Sequence, residues 1–394
     1  GFTAVSGVGY FVNTTAGAVT VNLPAGTAGA VVAIKDYANT FDTNACTLVQ
    51  NGSDKIGGST VNASLSTEGI AVTLVFIDST QGWLVTDSGL QSEVPPAPAY
   101  VTATGGTITC SGDFRIHTFT GPGNFCVSCA GNAGGSNTVS YMVIAGGGGS
   151  GVNGGGGGAG GFREGKTTTC SYTASPLVAP AGLPVSAQNY PITIGAGGTG
   201  NANSPTPGRP GCSGSNSIFS TIISTGGGGG DGYGVEPVSG KSGGSGGGGA
   251  AASAGGSGNT PPVSPAQGTN GAAGGVNSGP GYSGGGGGGA TVAGTVGNSP
   301  VGGGAGGAGA TTSINGTPTT RAGGGGGGTW DNNPGGAGGP GGGGAGATGA
   351  NPGTAGTANT GGGAGGPSSA NQSCTGPAGA AGGSGIVIIR YKFQ

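Results

Sequence analysis

Runs of consecutive glycine constrain this chain more than any other feature of its sequence. The starts of the last five runs lie 18, 21, 18 and 20 residues apart. Because glycine has no side chain from which to build an ordinary hydrophobic core, this regular spacing indicates a repeated backbone structure. The runs are Gly226–Gly230, Gly246–Gly249, Gly284–Gly289, Gly302–Gly304, Gly323–Gly328, Gly341–Gly344 and Gly361–Gly363.

The composition of this region argues against a disordered chain. Glycine supplies 107 and proline 24 of the 394 residues, which is typical of low-complexity segments. Disorder, however, usually accompanies a high net charge. Here charged residues make up 6% of the chain, and between Lys241 and Arg390 only Arg321 and Asp331 are charged. We therefore expect an ordered region whose backbone amides and carbonyls bond to one another.

Two regular structures suit bare glycine backbone, and the sequence favours the second. A β-sheet is disfavoured because glycine weakens strands and β-branched residues are scarce in this region. An extended helix of three residues per turn directs its amides outward, so neighbouring glycine helices can bond laterally. A segment of about nine residues would span about 28 Å. We predict a bundle of polyglycine II helices over residues 226–385.

Residues 1–92 are predicted to be a small β-domain used in fibre assembly. Short apolar segments alternate with turn signals, as in a small sandwich or roll. A proline-rich linker, which includes Val94-Pro-Pro-Ala-Pro98, follows at residues 93–99. The predicted strands are Tyr10–Val12, Val19–Leu23, Val31–Lys35, Cys46–Gln50, Ile70–Ile77 and Trp83–Thr86.

The rest of the chain is predicted to begin and end with β-structure. Residues 100–225 form a β-domain that passes into the glycine-rich region. Residues 386–394 form a closing strand that pairs with Thr138–Ile144. The fold class is therefore all-β plus a polyglycine II bundle, with no α-helix.

The sequence offers little material for catalysis, metal binding or nucleic-acid recognition. The only histidine, His117, lies in an alternating strand pattern, which favours a packed or surface residue over a general base. A net charge of −2 leaves no basic surface for nucleic acid, and no apolar run is long enough to cross a bilayer. We expect a non-enzymatic protein without cofactor, metal or membrane insertion.

Seven cysteines leave at least one thiol unpaired within the chain. Cys126 and Cys129 have the CxxC spacing, but no second pair accompanies them, which disfavours zinc. Three interpretations remain open: small buried residues, a structural disulfide that links Cys110 to Cys126 or Cys129, and, as the minor alternative, redox chemistry.

Several non-glycine motifs resemble the glycine-rich domain of bacteriophage tail-fibre and tail-tip proteins over residues 99–394. They include Thr104-Gly-Gly-Thr-Ile-Thr109, Ser140-Tyr-Met-Val-Ile-Ala-Gly-Gly-Gly149, Tyr190-Pro-Ile-Thr-Ile-Gly-Ala-Gly197 and the closing Gly-Ile-Val-Ile-Ile-Arg-Tyr. The glycine runs are also similar to distal tail-fibre adhesins. That resemblance implies layered polyglycine helices that carry variable recognition loops.

The expected function is therefore that of a structural and adhesive fibre protein on a virion or outside the cell. Loops between glycine runs would bind a bacterial cell-surface glycan or outer-membrane protein. An alternative is a subunit of an extracellular homopolymeric filament without a dedicated receptor. In either case we expect self-association, as a homo-oligomer (a trimer is favoured) or a head-to-tail polymer. The candidate receptor-binding residues are Tyr233, Tyr282, Trp330, Asp331, Asn332 and Asn333. For Trp330 the sequence leaves open a second role, as a cap at the end of the bundle.

Overall fold

The computed structural model describes most of the chain as two compact units, Gly1–Ala97 and Pro98–Gln394. The division lies within the linker that the sequence predicts at residues 93–99. Residues 93–96 of that linker lie outside the described part. The described ranges are 1–90, 97–132, 134–152, 154–201, 209–232, 239–276, 282–298, 301–330, 332–369 and 377–394.

The described residues of the first unit form eight strands in two four-stranded sheets, ordered β1-β3-β5-β6 and β2-β4-β7-β8. The chain passes between the sheets as it advances, so that β1, β3 and β5 are parallel, as are β2 and β4. The strands are β1 Phe2–Thr3, β2 Val8–Val12, β3 Val19–Asn22, β4 Val31–Asp36, β5 Cys46–Val49, β6 Ala63–Leu65, β7 Ile70–Phe76 and β8 Trp83–Leu90.

A single core lies between these two sheets. In β4, Val32 and Ile34 are buried and alternate with half-buried residues, as expected when one face of a strand is covered. Val21 and Leu48 contribute from the other sheet to the same cluster, in which Trp83 is fully buried. The alternating apolar pattern of the sequence therefore determines which side of each strand faces inward.

Sixteen short strands lie in the part of the second unit that the structure describes, most of them in a seven-stranded and a five-stranded sheet. The strands are β9 Val101–Thr104, β10 Thr107–Ser111, β11 Phe114–Phe119, β12 Gly123–Ala130, β13 Thr138–Ile144, β14 Phe162–Gly165, β15 Val178–Ala179, β16 Leu183–Pro184, β17 Asn189–Thr193, β18 Ser217–Phe219, β19 Ile222–Ser224, β20 Gly275–Val276, β21 Tyr282–Ser283, β22 Ala310–Thr312, β23 Thr319–Arg321 and β24 Ile386–Lys392.

The C-terminal strand β24 lies in the interior of the seven-stranded sheet. It pairs antiparallel with β13, as the sequence predicted, and on its other side with β11. The sheet order is β10-β11-β24-β13-β14-β15, with β16 also paired to β13, and the second sheet has the order β19-β18-β17-β12-β9. A strand from the end of the chain thus joins two earlier parts of it.

Both faces of the seven-stranded sheet are covered. On one face, Val387, Ile389 and Tyr391 of β24 share a core with residues of the five-stranded sheet such as Phe125 and Phe219. On the opposite face, Ile386 and Ile388 share a second core with small residues that flank glycine runs, among them Ala290 and Ala322. Alternate residues of one strand therefore serve two different cores.

Hydrogen bonds of the glycine-rich region follow a period of three residues. Successive amides of residues 155–161 donate in turn to three neighbouring segments, at distances of 2.7–3.1 Å. These bonds lie outside the named strands, so the runs do not form a regular β-ladder. The donors and acceptors are Gly155, Gly158 and Gly161 to residues 225–231, Gly156 and Ala159 to residues 285–288, and Gly157 and Gly160 to residues 361–364.

One segment between glycine runs forms a hairpin. Within residues Ala310–Arg321, β22 and β23 pair antiparallel. Ile314, between the two strands, is fully buried in the core on the glycine-rich side of the large sheet. The apolar side chain therefore draws this insert onto the sheet.

The described part of the chain is all-β and contains no α-helix. Within the same residues, no helix has the length and apolar character needed to cross a membrane.

Candidate functional site

The glycine-rich region has two ends, which we call the sheet end and the outer end. The segment from Ser283 to Ala290 connects them. At Ala290 it bonds to Ala322 beside the sheet core, whereas at Gly284 it bonds to Gly328. Trp330, the aromatic residue for which the sequence predicted either recognition or capping, follows shortly after Gly328. The candidate binding residues on this part of the chain are therefore held away from the sheets.

Trp330 is buried at the outer end. Only 6% of its surface is exposed, and its ring meets the ring of Tyr282 edge to face at 5.0 Å. Its backbone amide donates to the carbonyl of Tyr282 at 3.0 Å. Adjoining segments cover the indole. This burial favours the capping role that the sequence left open, while Tyr282 stays half-buried.

A network of hydroxyl groups holds the turn that carries the candidate asparagines. Thr329 Oγ1 donates to the carbonyl oxygen of Asn333 at 2.8 Å, and Ser368 Oγ donates to the carbonyl of Thr329. Thr329 and Ser368 are both buried. Sequence reasoning missed both residues, although hydroxyl side chains at the boundary of a glycine run were the available signal.

Uncharged polar residues contribute to the exposed surface of the outer end, together with apolar residues such as Val301, which is 67% exposed and precedes Gly302 beside Pro334. Asn332 is exposed and Asn333 is half-buried. Thr348 and Asn351 lie nearby, because a methyl group built at Gly349 would be 3.5 Å from Asn332 Oδ1 and 3.7 Å from Asn351 Nδ2. We call Asn332, Asn333, Thr348 and Asn351 the outer-end surface. The candidates Tyr233 and Asp331 lie outside the described residues.

Such a surface can bind by hydrogen bonds but offers no group for acid–base chemistry. Each amide side chain has both donors and acceptors, and the threonine hydroxyl has both functions as well. These groups suit ligands rich in hydroxyl or amide groups, such as glycans and protein backbones.

Asp231 is a buried carboxylate at the same end. Its carbonyl oxygen accepts from Gly155 N at 3.0 Å. Its side chain accepts from the amides of Gly232 and Ala250 at 2.8 and 3.3 Å, and both donors are uncharged. Burial raises the pKa of this carboxyl from about 3.8 to about 6, although the hydrogen bonds oppose the increase.

This raised pKa predicts that Asp231 destabilises the fold above pH 6. Between pH 3.8 and about 6 the folded chain retains a proton that the unfolded chain has lost. Stability should therefore fall as the pH rises through this window and then level off. Asp231→Asn should remove that decline, so the Tm of the variant should exceed that of the parent by a few degrees at pH 7 but not at pH 4. Thermal melts across this range measure it, and parallel profiles for the two proteins would contradict it.

His117 is part of the core of the second unit. Its Nδ1 lies 2.7 Å from the carbonyl oxygen of Gly105, and its Nε2 lies 3.0 Å from the hydroxyl of Tyr391. The residue is fully buried, and burial lowers the pKa of its imidazole. With both nitrogens in contact with protein groups, His117 ties the turn at Gly105 to β24. In the described residues, no group of three potential ligands could hold a metal ion.

The predicted disulfide is not formed in the structure. Cys110 lies in β10 of the seven-stranded sheet, whereas Cys126 and Cys129 lie in β12 of the other sheet. All three are free thiols, and Cys110 and Cys129 are exposed, so the interpretation as small buried residues does not fit these two either. It does fit Cys46 and Cys170, which are buried. Cys374 lies outside the described residues.

Comparison with protein families gives a match over most of the second unit. The sequence model of a family described as a glycine-rich domain matches residues 118–392. The chain belongs to the glycine-rich domain family. The matched residues of this glycine-rich domain include all of β13 and all of β24, together with every glycine run between them. A comparison with curated proteins found no match.

Proposed function

We propose that the protein is a structural and adhesive fibre protein, similar to a phage tail fibre, which acts on a virion or outside the cell. In this proposal the glycine-rich domain is a stiff support, and its outer-end surface binds a receptor on a bacterial cell. The observation that carries the proposal is the three-residue period of hydrogen bonds in the glycine runs. These bonds hold together the glycine segments that connect the sheet core at one end to the loops at the other.

The glycine runs of this support are proposed to be polyglycine II helices. A helix of three residues per turn directs successive amides toward three neighbours, which is the pattern of residues 155–161. Seven residue steps separate Ser283 from Ala290, so such a helix would extend about 22 Å between them. The bundle would therefore hold its loops about 20 Å from the sheet core, where a large surface can approach them.

Adhesion rather than catalysis is proposed because of the chemistry available at the outer end. Asn332 and Asn333 present amides on a turn that is fixed from below by Thr329 and Ser368. A backbone that is already fixed reduces the ordering cost when the amides on this turn bind a ligand. A bacterial surface glycan or an outer-membrane protein supplies hydroxyl or amide groups that would pair with them.

Binding of the labelled protein to intact Gram-negative bacteria tests this function. We expect labelling of some strains in a panel, and at least about tenfold weaker binding by an Asn332→Ala/Asn333→Ala double variant because polar anchors are lost. The Tm of the variant should not change, since the hydrogen bond from Thr329 ends on the backbone of Asn333. Thr317→Ala is the matched control, as an exposed polar residue on the sheet-end hairpin.

Treatment of the cells separates the two receptor classes. Periodate should abolish binding if the receptor is a glycan, and protease should abolish it if the receptor is a protein. Equal binding by the double variant and the parent would contradict a role for the outer-end surface. The absence of labelling on every strain would count against adhesion itself.

A further inference from the structure

Strand β2 is an unpaired edge of the first unit, and its backbone orientation is informative. Among the residues that the structure describes, the sheet order β2-β4-β7-β8 leaves one side of β2 without a strand partner. In a parallel ladder, alternate residues bond to the neighbouring strand. The carbonyl oxygen of Val12 accepts from Tyr37 N at 3.0 Å, just beyond β4, so Val12 belongs to the bonded set. Gly9 and Phe11 therefore direct their amides and carbonyls away from β4.

On one face of β2, the Phe11 side chain forms a projection and Gly9 leaves an adjacent gap. Phe11 is 76% exposed, which is the largest exposure of any described large apolar residue. Gly9, on the same face, leaves space, since a methyl group built there would meet only Ala33 Cβ, at 3.7 Å. A shallow groove lined mainly by apolar groups runs across this face past Gly9, Ala33 and Ala71.

We propose that β2 pairs antiparallel with β2 of a second copy of this chain, about a two-fold axis through Tyr10. In this register Gly9 and Phe11 of the partner subunit form a hydrogen-bonded pair that exchanges two bonds, and symmetry supplies a second such pair. The orientation of Gly9 and Phe11 allows all four bonds. Each Phe11 ring then lies over Gly9 of the partner subunit, beside its Ala33, an arrangement that compensates for a glycine in a strand.

A second copy is the occupant that this edge fits best because the surface is complementary to itself. A two-fold contact requires that residue i meet residue j and j meet i, and Gly9 with Phe11 satisfies this condition. Five paired residues are few, so the buried area lies at the low end of specific interfaces and predicts a weak dimer. The inference does not depend on the proposed adhesion, since it concerns only the first unit.

Sedimentation equilibrium of the full chain tests the pairing. We expect a monomer–dimer equilibrium with a Kd in the range of about 10–100 µM. Phe11→Ala should weaken the dimer at least about tenfold, and Gly9→Pro should abolish it because proline removes an outward donor. Val61→Ala is the matched control, since Val61 is 71% exposed but lies outside β2. Circular dichroism of each variant establishes that it remains folded.

Disulfide trapping tests the register. Both variant chains also carry the substitutions Cys110→Ser, Cys129→Ser and Cys212→Ser, which remove the exposed native thiols. A mixture of Gly9→Cys and Phe11→Cys chains should form a cross-linked heterodimer, because directly opposed residues have Cα atoms about 5.5 Å apart. Neither variant alone should cross-link through its new cysteine to a comparable extent.

Four results of the sedimentation experiment would each overturn the proposal. They are a parent that stays monomeric at about 100 µM, a parent that forms a trimer, a parent that grows into larger species, and a folded Phe11→Ala variant that dimerises like the parent.

Discussion

Gly325→Ala should destabilise the protein, although this is among the mildest substitutions available. A methyl group at Gly325 would lie 1.9 Å from the carbonyl oxygen of Ala364 and 2.4 Å from its carbonyl carbon. Both atoms belong to the backbone, and a neighbouring segment can move only if its own lateral bonds break. We expect a loss of about 3 kcal/mol or more in the free energy of unfolding, and Gly325→Val should prevent folding of the glycine-rich domain.

The sign of the effect distinguishes a packed bundle from a flexible linker. In a flexible segment, Gly→Ala restricts the unfolded chain and stabilises a protein by about 0.4–1 kcal/mol. Gly121 is the matched control, since nothing lies within 4 Å of a methyl group built there. Gly121→Ala and Gly121→Val should leave the Tm nearly unchanged. Thermal and urea melts measure all four variants, and a Gly325→Ala protein as stable as the parent would contradict lateral packing of the runs.

Side-chain patterns predicted the strands of the first unit well where those strands are long. The predicted segments Val31–Lys35, Ile70–Ile77 and Trp83–Thr86 correspond to β4, β7 and β8. Alternating apolar residues fix both the strand and its inner face, so this information is local. Two strands escaped prediction, β1 and β6, because two or three residues are too few to show a period.

Long-range pairing was predictable only for β24. Its continuous apolar run required burial on both faces, and Thr138–Ile144 was a strand with the same need. The location of Trp330 could not be derived in this way. Its burial depends on Tyr282, 48 positions earlier in the sequence, and on the turn between Thr329 and Asn333. Bare glycine runs carry no pattern that specifies which neighbour each one meets, so the sequence indicates a bundle but not its order.

Removal of the last nine residues, beginning at Ile386, should unfold the second unit. The deletion opens the seven-stranded sheet between β11 and β13, the two strands that β24 joins. It also removes five fully or almost fully buried apolar residues, Ile386, Val387, Ile388, Ile389 and Tyr391. At about 1.5–3 kcal/mol for each buried side chain, the loss is comparable to the whole stability of a typical domain.

A point variant makes the same argument measurable if the truncated chain does not accumulate. Ile388 is 1% exposed and lies in the core between the large sheet and the glycine runs. Ile388→Ala should therefore lower the free energy of unfolding by about 2–5 kcal/mol. Ile108→Ala is the matched control, because Ile108 lies in the edge strand β10 of the same sheet and is 42% exposed. The Ile108→Ala substitution should lower the free energy of unfolding by less than about 1 kcal/mol.

Urea melts and limited proteolysis report both effects. Equal losses for the two variants would show that β24 does not join the two cores. A truncated protein whose glycine runs resist protease like those of the parent would lead to the same conclusion, because the runs would then hold together without the sheet beneath them.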